Sequence, residues 1–196
     1  ARKFLEKEES VKRARAVLEG EESYDKDLWS QVAEMGFTAT AIPEEYGGLG
    51  LGYLELCVIA EELGRSLAPT PFSSSVYLAT ESILHFGSDS LKQNHLPSLA
   101  SGEKIGAFAH SESTTAPTEQ NITCEFKDGS LSGSKIAVTD GDVADFYIVS
   151  AKTGSEIGLF LVESSADGVE ISSQPTLDPS RSHASIVFKN AKAEAL

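Results

Sequence analysis

The residues best placed for chemistry lie in the run LSGSKIAVTDGDVAD, positions 131–145. Strand alternation puts Ile136 and Val138 on one face and Lys135, Ala137 and Thr139 on the other. One face then belongs to a core and the other is open to a ligand. Asp140-Gly141 is a strong turn signal and FYIVSA follows, so the two runs read as an antiparallel hairpin. Thr139, near a strand end, offers a hydroxyl beside exposed backbone groups, which suits a flat polar ligand. A surface threonine on an ordinary hairpin is the plainer account of the same residues.

Other candidate groups carry weaker signals. The loop IPEEYGGLGLG (42–52) has the glycines of a phosphate cradle but neither the lysine nor the spacing of a P-loop, so a structural turn with no bound phosphate is expected. His110 is a lone histidine, more often a hydrogen-bonded structural side chain than a catalytic one. Arg181 and His183, near the last strand, take a surface role by default. Cys57 and Cys124 lie far apart inside apolar runs, without metal or redox spacing, and both read as reduced core residues.

These groups need elements to hold them. Apolar residues at helical spacing predict an amphipathic helix over 1–20, and a second over LWSQVAEMG with Asp25 before it and Gly36 after it. Trp29 in that helix reads as packing. A long, well-buried helix is expected over 53–67, then helical periodicity over 72–86, then a helix capped by Ser88 or Asp89 and running to Leu99, kinked near Pro97. After Gly102 short β-rich runs alternate with Asp-Gly and Thr-Gly turns. The fold class is therefore α+β: an all-helical domain, 1–103, followed by an antiparallel β-sandwich or barrel domain, 104–196.

A chain of 196 residues needs no disulfide staples, and its net charge of -14 argues against a nucleic-acid partner. No apolar run approaches the ~20 residues of a membrane span, and a cytoplasmic protein is the expectation.

In order and spacing, LWSQVAEMGF with IPEEYGGLGLG, ELGRSLAPTPF, LPSLASGEKIGAFAHSE, DGSLSGSKIAVTDGDVADFYIVSAKT and RSHASIVFKNAKAEAL resemble the acyl-CoA dehydrogenase family over essentially the whole chain. The resemblance implies an FAD flavoprotein that removes hydrogens from Cα and Cβ of an acyl-CoA thioester. It also implies a third, helical domain beyond Leu196 that carries the catalytic base, so no carboxylate here is nominated for that role. Residues 108–112 resemble the family's flavin-contacting strand, which assigns Phe108, His110 and Ser111 to the cofactor. Ala137, Val138 and Thr139 stand where the family has Trp-Ile-Thr. Ser111 and Thr139 should then face one crevice from neighbouring strands.

Two departures mark the chain. Ala137 replaces the indole that covers the flavin, a loss of about 2–4 kcal/mol if nothing fills the space. Residues 113–118, STTAPT, replace a glycine-containing turn, and Pro117 has no N–H to donate. His110 stands where the family prefers an aliphatic residue. Two readings follow: a conventional dehydrogenase subunit in a homo-oligomer, or a flavin-poor subunit that completes a hetero-oligomer with another dehydrogenase-type chain. The departures lean toward the second. On the residues alone, without the resemblance, a β-domain binding module with a helical cap fits as well.

Overall fold

A computed structural model describes residues 1–20 and 22–196. Helices come first: α1 (Arg2–Lys7), α2 (Ser10–Glu19), α3 (Lys26–Glu34), α4 (Tyr53–Arg65), α5 (Glu81–Phe86) and α6 (Asp89–Ala100). A 3-10 turn, Glu44–Tyr46, precedes α4, and a π-helix, Ser73–Thr80, runs directly into α5. Eight strands follow: β1 (Gly106–Ala109), β2 (Glu125–Lys127), β3 (Ser130–Thr139), β4 (Phe146–Thr153), β5 (Glu156–Glu163), β6 (Val169–Ser173), β7 (His183–Lys192) and β8 (Glu194–Ala195). The α+β order is as expected. No helix among the described residues is long and apolar enough to cross a membrane.

The capping chemistry works where it was legible. The Asp25 carboxylate accepts the Leu28 N–H at 2.8 Å and Ser88 accepts from Leu91, opening α3 and α6. Gly52 opens α4 and donates its N–H to Glu55 at 3.0 Å; glycine has no side chain to complete a reciprocal box. Trp29 packs in the core and donates its indole N–H to the Gly102 carbonyl at 2.9 Å.

Several helical expectations are corrected. The N-terminal stretch is two helices, because Glu9 takes a left-handed φ of 50° and the Ser10 hydroxyl bonds the Leu5 carbonyl. Helix α4 buries only Leu56, Glu62 and Leu63; Leu54 and Val58, four residues apart on the opposite side, are 75% and 54% exposed. Cys57 lies on that outer side and is exposed, whereas Cys124 is buried. A single helix face cannot hold every apolar residue of such a run.

The sheet order is β6-β7-β3-β2-β4-β5-β8, with β1 also on β4. It is mixed, not purely antiparallel: β1 and β2 both run parallel to β4. These two short strands sit along the same line between β3 and β4, so the expected hairpin of β3 with β4 does not form. Instead β3 pairs with β2 through the tight Asp128-Gly129 turn and with β7, and β4 pairs with β5.

Both hydrophobic clusters cross from helices to strands. One joins Leu28, Trp29 and Val32 to Tyr147 and Phe188, and the other joins Ile42, Ile83 and Leu96 to Phe146 and Ile148. Polar clasps reinforce them. Buried Asp140 binds the Arg181 guanidinium and the Ser74 hydroxyl, and Arg181 also donates to Ser73 at 2.9 Å. Asp142 accepts from Ser23 at 2.6 Å and from Ser182 at 2.5 Å. Arg181 is therefore a cross-element tie and not a free surface side chain.

The glycine-rich loop is a turn with two different requirements. Gly47 takes φ 80° with open space around its missing Cβ, whereas a Cβ on Gly48 would lie 1.9 Å from the Ile42 carbonyl oxygen. Gly48→Ala should therefore cost about 1–3 kcal/mol or more by displacing backbone, and Gly47→Ala about 1–2 kcal/mol from conformation alone. Urea denaturation of both variants checks this; equal losses would show that the contact at Gly48 relaxes freely.

Candidate functional site

The site is assembled where β1 ends. After Ala109 the chain leaves the sheet, and the Ser111 carbonyl accepts the Ile136 N–H of β3 at 2.8 Å. Residues 113–121 make an exposed excursion, which returns at Thr123 and Cys124. Glu112 closes it. One carboxylate oxygen accepts the Thr123 N–H and hydroxyl, each at 2.6 Å, and the other accepts the Cys124 N–H at 3.0 Å and the Lys135 ammonium at 2.7 Å.

Lys135 has no exposed side-chain surface. Its ammonium also donates to the His110 carbonyl at 3.1 Å and to the Ser150 hydroxyl at 3.2 Å, so its three protons have three acceptors. This overturns the expectation that Lys135 shares the open face with Ala137 and Thr139. Lys135 alternates in phase with buried Leu131, and a bulge after it brings Val138 to the same side: between Lys135 and Val138 the register of β3 on β7 shifts by one residue, with Ala137 at a left-handed φ of 51°. Lys135 and Val138 are both buried as a result, and strict alternation fails across three residues.

The other expected site residues separate by exposure. Val138 is core, so only its backbone is available to a ligand; Phe108 and His110 are half-buried with ring centroids 5.9 Å apart. Ala137 is exposed, and its N–H donates to the Gln174 side chain at 2.9 Å. Thr139 is half-buried with its hydroxyl 3.2 Å from His183 Nε2, and Ser111 is half-buried with no side-chain hydrogen bond to any described residue. His183 is thus a neighbour of Thr139 and is itself half-buried.

Electrostatics follow burial. Burial alone would raise the Glu112 carboxyl, but the hydrogen bonds from Lys135, Thr123 and the Thr123 and Cys124 amides hold it below the ordinary carboxylate range. Burial lowers the His110 imidazole and the Lys135 charge lowers it further. Burial pushes the Cys124 thiol up to about 11, which leaves it unreactive.

The profile described as acyl-CoA dehydrogenase, N-terminal domain, matches residues 1–103. The chain belongs to the acyl-CoA dehydrogenase family. It is 34% identical over 155 residues to the mitochondrial isovaleryl-CoA dehydrogenase of Arabidopsis thaliana, covering 74% of this chain and 38% of the relative. Among solved structures it is similar to butyryl-CoA dehydrogenase from Megasphaera elsdenii, with a TM-score of 0.85, 27% identity, and coverage of 98% of this chain and 54% of the other. It is also similar to a chain of the ChsE4-ChsE5 complex from Mycobacterium tuberculosis, with a TM-score of 0.83, 29% identity, and coverage of 96% and 52%. The chain therefore spans about two-fifths of that curated relative and about half of those solved chains.

The sequence names Ser111 and Thr139 as candidates but does not single out the buried pair between them. The Glu112–Lys135 pair was detectable in principle, as opposite charges beside Ser111 and within a strand, but nothing local signals the bulge that puts Val138 on the same side as Lys135. Gln174, which bonds Ala137, carries no signal in its surroundings.

Removing one member of this pair leaves the other buried and uncompensated. Lys135→Met should destabilise the fold by about 3–5 kcal/mol, read as a lower urea midpoint; a loss under about 1 kcal/mol, the scale of exposed pairs, would mean that water screens it. The pair also sets an acid dependence. Because the folded Glu112 pKa is depressed, its contribution is complete above about pH 4.3, the unfolded value, and fades as pH falls below that. Glu112→Gln should lose this part of the stability decline below about pH 4.

Proposed function

We propose that this chain forms the helical and middle portions, 1–103 and 104–196, of an FAD-dependent acyl-CoA dehydrogenase that introduces a Cα–Cβ double bond into an acyl-CoA thioester. The observation that carries the reading is the retained pair of hydroxyls, Ser111 and Thr139, beside a segment that buried Lys135 and Glu112 hold in place. Such a donor set suits the polar edge of an isoalloxazine ring. FAD, when bound, supplies the acceptor for the substrate's β-hydride.

This chain's own residues would bind and orient. The Ser111 hydroxyl has no hydrogen-bond partner among the described residues and is available to a ring acceptor; the Thr139 hydroxyl, next to His183, is available to a second. The backbone of Val138 contributes without its side chain, and Ala137 leaves the ring face to be covered from elsewhere. Glu112 is unsuited to be the base, because all four of its hydrogen bonds stabilise a fixed carboxylate. The base would come from the region that the relatives have and this chain does not span, and further dehydrogenase-type subunits, identical or different, would complete the assembly.

Titrating the chain with FAD tests the reading. Ser111→Ala and Thr139→Val should each weaken FAD binding by about fivefold, the worth of one neutral hydrogen bond. Unchanged affinity in both variants would overturn the assignment of these residues. Flavin that is retained only when a second dehydrogenase-type subunit is added would identify the chain as the flavin-poor member of a hetero-oligomer.

A further inference from the structure

His110 is a titratable side chain of the site that the proposed function leaves without a role, and its surroundings fix which ring nitrogen carries the proton. Its Nδ1 lies 2.7 Å from the Ser150 hydroxyl, directly across the β1–β4 pairing. Ser150 is 2% exposed, and among the described residues its hydroxyl has one other partner, the Lys135 ammonium, 3.2 Å away. An ammonium only donates, so the Ser150 oxygen accepts from Lys135. The hydroxyl proton of Ser150 then has one acceptor within reach, His110 Nδ1. A buried hydroxyl left without an acceptor costs about 1–3 kcal/mol, which is enough to select the tautomer with its proton on Nε2.

Nε2 has no hydrogen-bond partner among the described residues. The buried side-chain atoms that lack one are Thr70 Oγ1, Glu81 Oε1 and His95 Nδ1, so His110 Nε2 must reach solvent. Burial and the Lys135 charge both disfavour the imidazolium, which keeps the ring neutral near pH 7. The position thus differs from an aliphatic one: it offers an oriented N–H one residue before Ser111.

We propose that His110 is a ligand-positioning residue that presents a fixed Nε2–H to a carbonyl oxygen of the molecule bound at the end of β1. The proposal rests on the flavoprotein reading above. Carbonyl oxygens of this kind occur on the flavin ring and on the acyl thioester, and the test separates them.

Nitrogen-15 NMR of the whole chain, with the His110 ring assigned, reads the tautomer directly. The proton is expected on Nε2 in wild type and divided between the two nitrogens in Ser150→Ala. FAD and butyryl-CoA are then added separately. Whichever one supplies the carbonyl should shift the Nε2–H resonance, and His110→Val should bind it about fivefold more weakly, with His110→Gln, which retains an N–H donor, restoring much of the affinity. A proton on Nδ1 in wild type overturns the proposal, as does His110→Val binding both molecules as tightly as wild type. If FAD and butyryl-CoA both fail to bind wild type even with a second dehydrogenase-type subunit added, the flavoprotein reading falls as well; if they bind and ignore His110, only the present proposal falls.

Discussion

Everything at this site depends on a lysine kept out of water. The Lys135 ammonium gives its three protons to a carboxylate and a backbone carbonyl from residues 110–112 and to a hydroxyl on β4. A buried cation tolerates no missing partner, because desolvation is offset only when the remaining hydrogen-bonding capacity is met. That requirement fixes the path of residues 110–112 as they leave β1 and the point at which the excursion returns at Thr123. The groups offered to a ligand are then the ones this node does not use: the Ser111 hydroxyl and the far side of the His110 ring.

The same economy governs the junction of helices and strands. Apolar residues from both halves share two clusters, so neither half has a complete core alone. Asp140 and Asp142 flank the turn after β3 and reach Ser74 and Ser23, tying the chain beyond the bulge to the helical half. Thr139 is caught between bulge and clasp. Its position is set by long-range contacts on either side and hardly at all by its local sequence.

Legibility from sequence divides along that line. The capped helices, the Asp128-Gly129 turn and nearly every strand were visible because local chemistry writes them: a carboxylate before an apolar helix, a turn that needs left-handed backbone, a run of β-branched residues. The split N-terminal helix was not, since a glutamate at φ 50° has no sequence signature. The β3–β4 hairpin was a sound local inference defeated by topology, because β1 and β2 arrive from elsewhere to occupy the space between those strands. Of the candidate site, the sequence offers Ser111 and Thr139 only as candidates, through the family resemblance, whereas the burial of Lys135 and the left-handed turn at Ala137 are visible only in the fold.

The slot shared by β1 and β2 has a thermodynamic consequence. On one side of it β6, β7 and β3 form an antiparallel ladder; on the other, β4, β5 and β8 form a second. Only a short seam joins them, and Ser111 lies within it, its carbonyl bonded to Ile136 of the same β3 that carries Thr139. A molecule held by both residues would brace the end of β1, itself paired with β4, against β3, and anything bound to the folded state alone stabilises it in proportion to its affinity. Ligand occupancy and the cohesion of the sheet are then two expressions of one linked equilibrium.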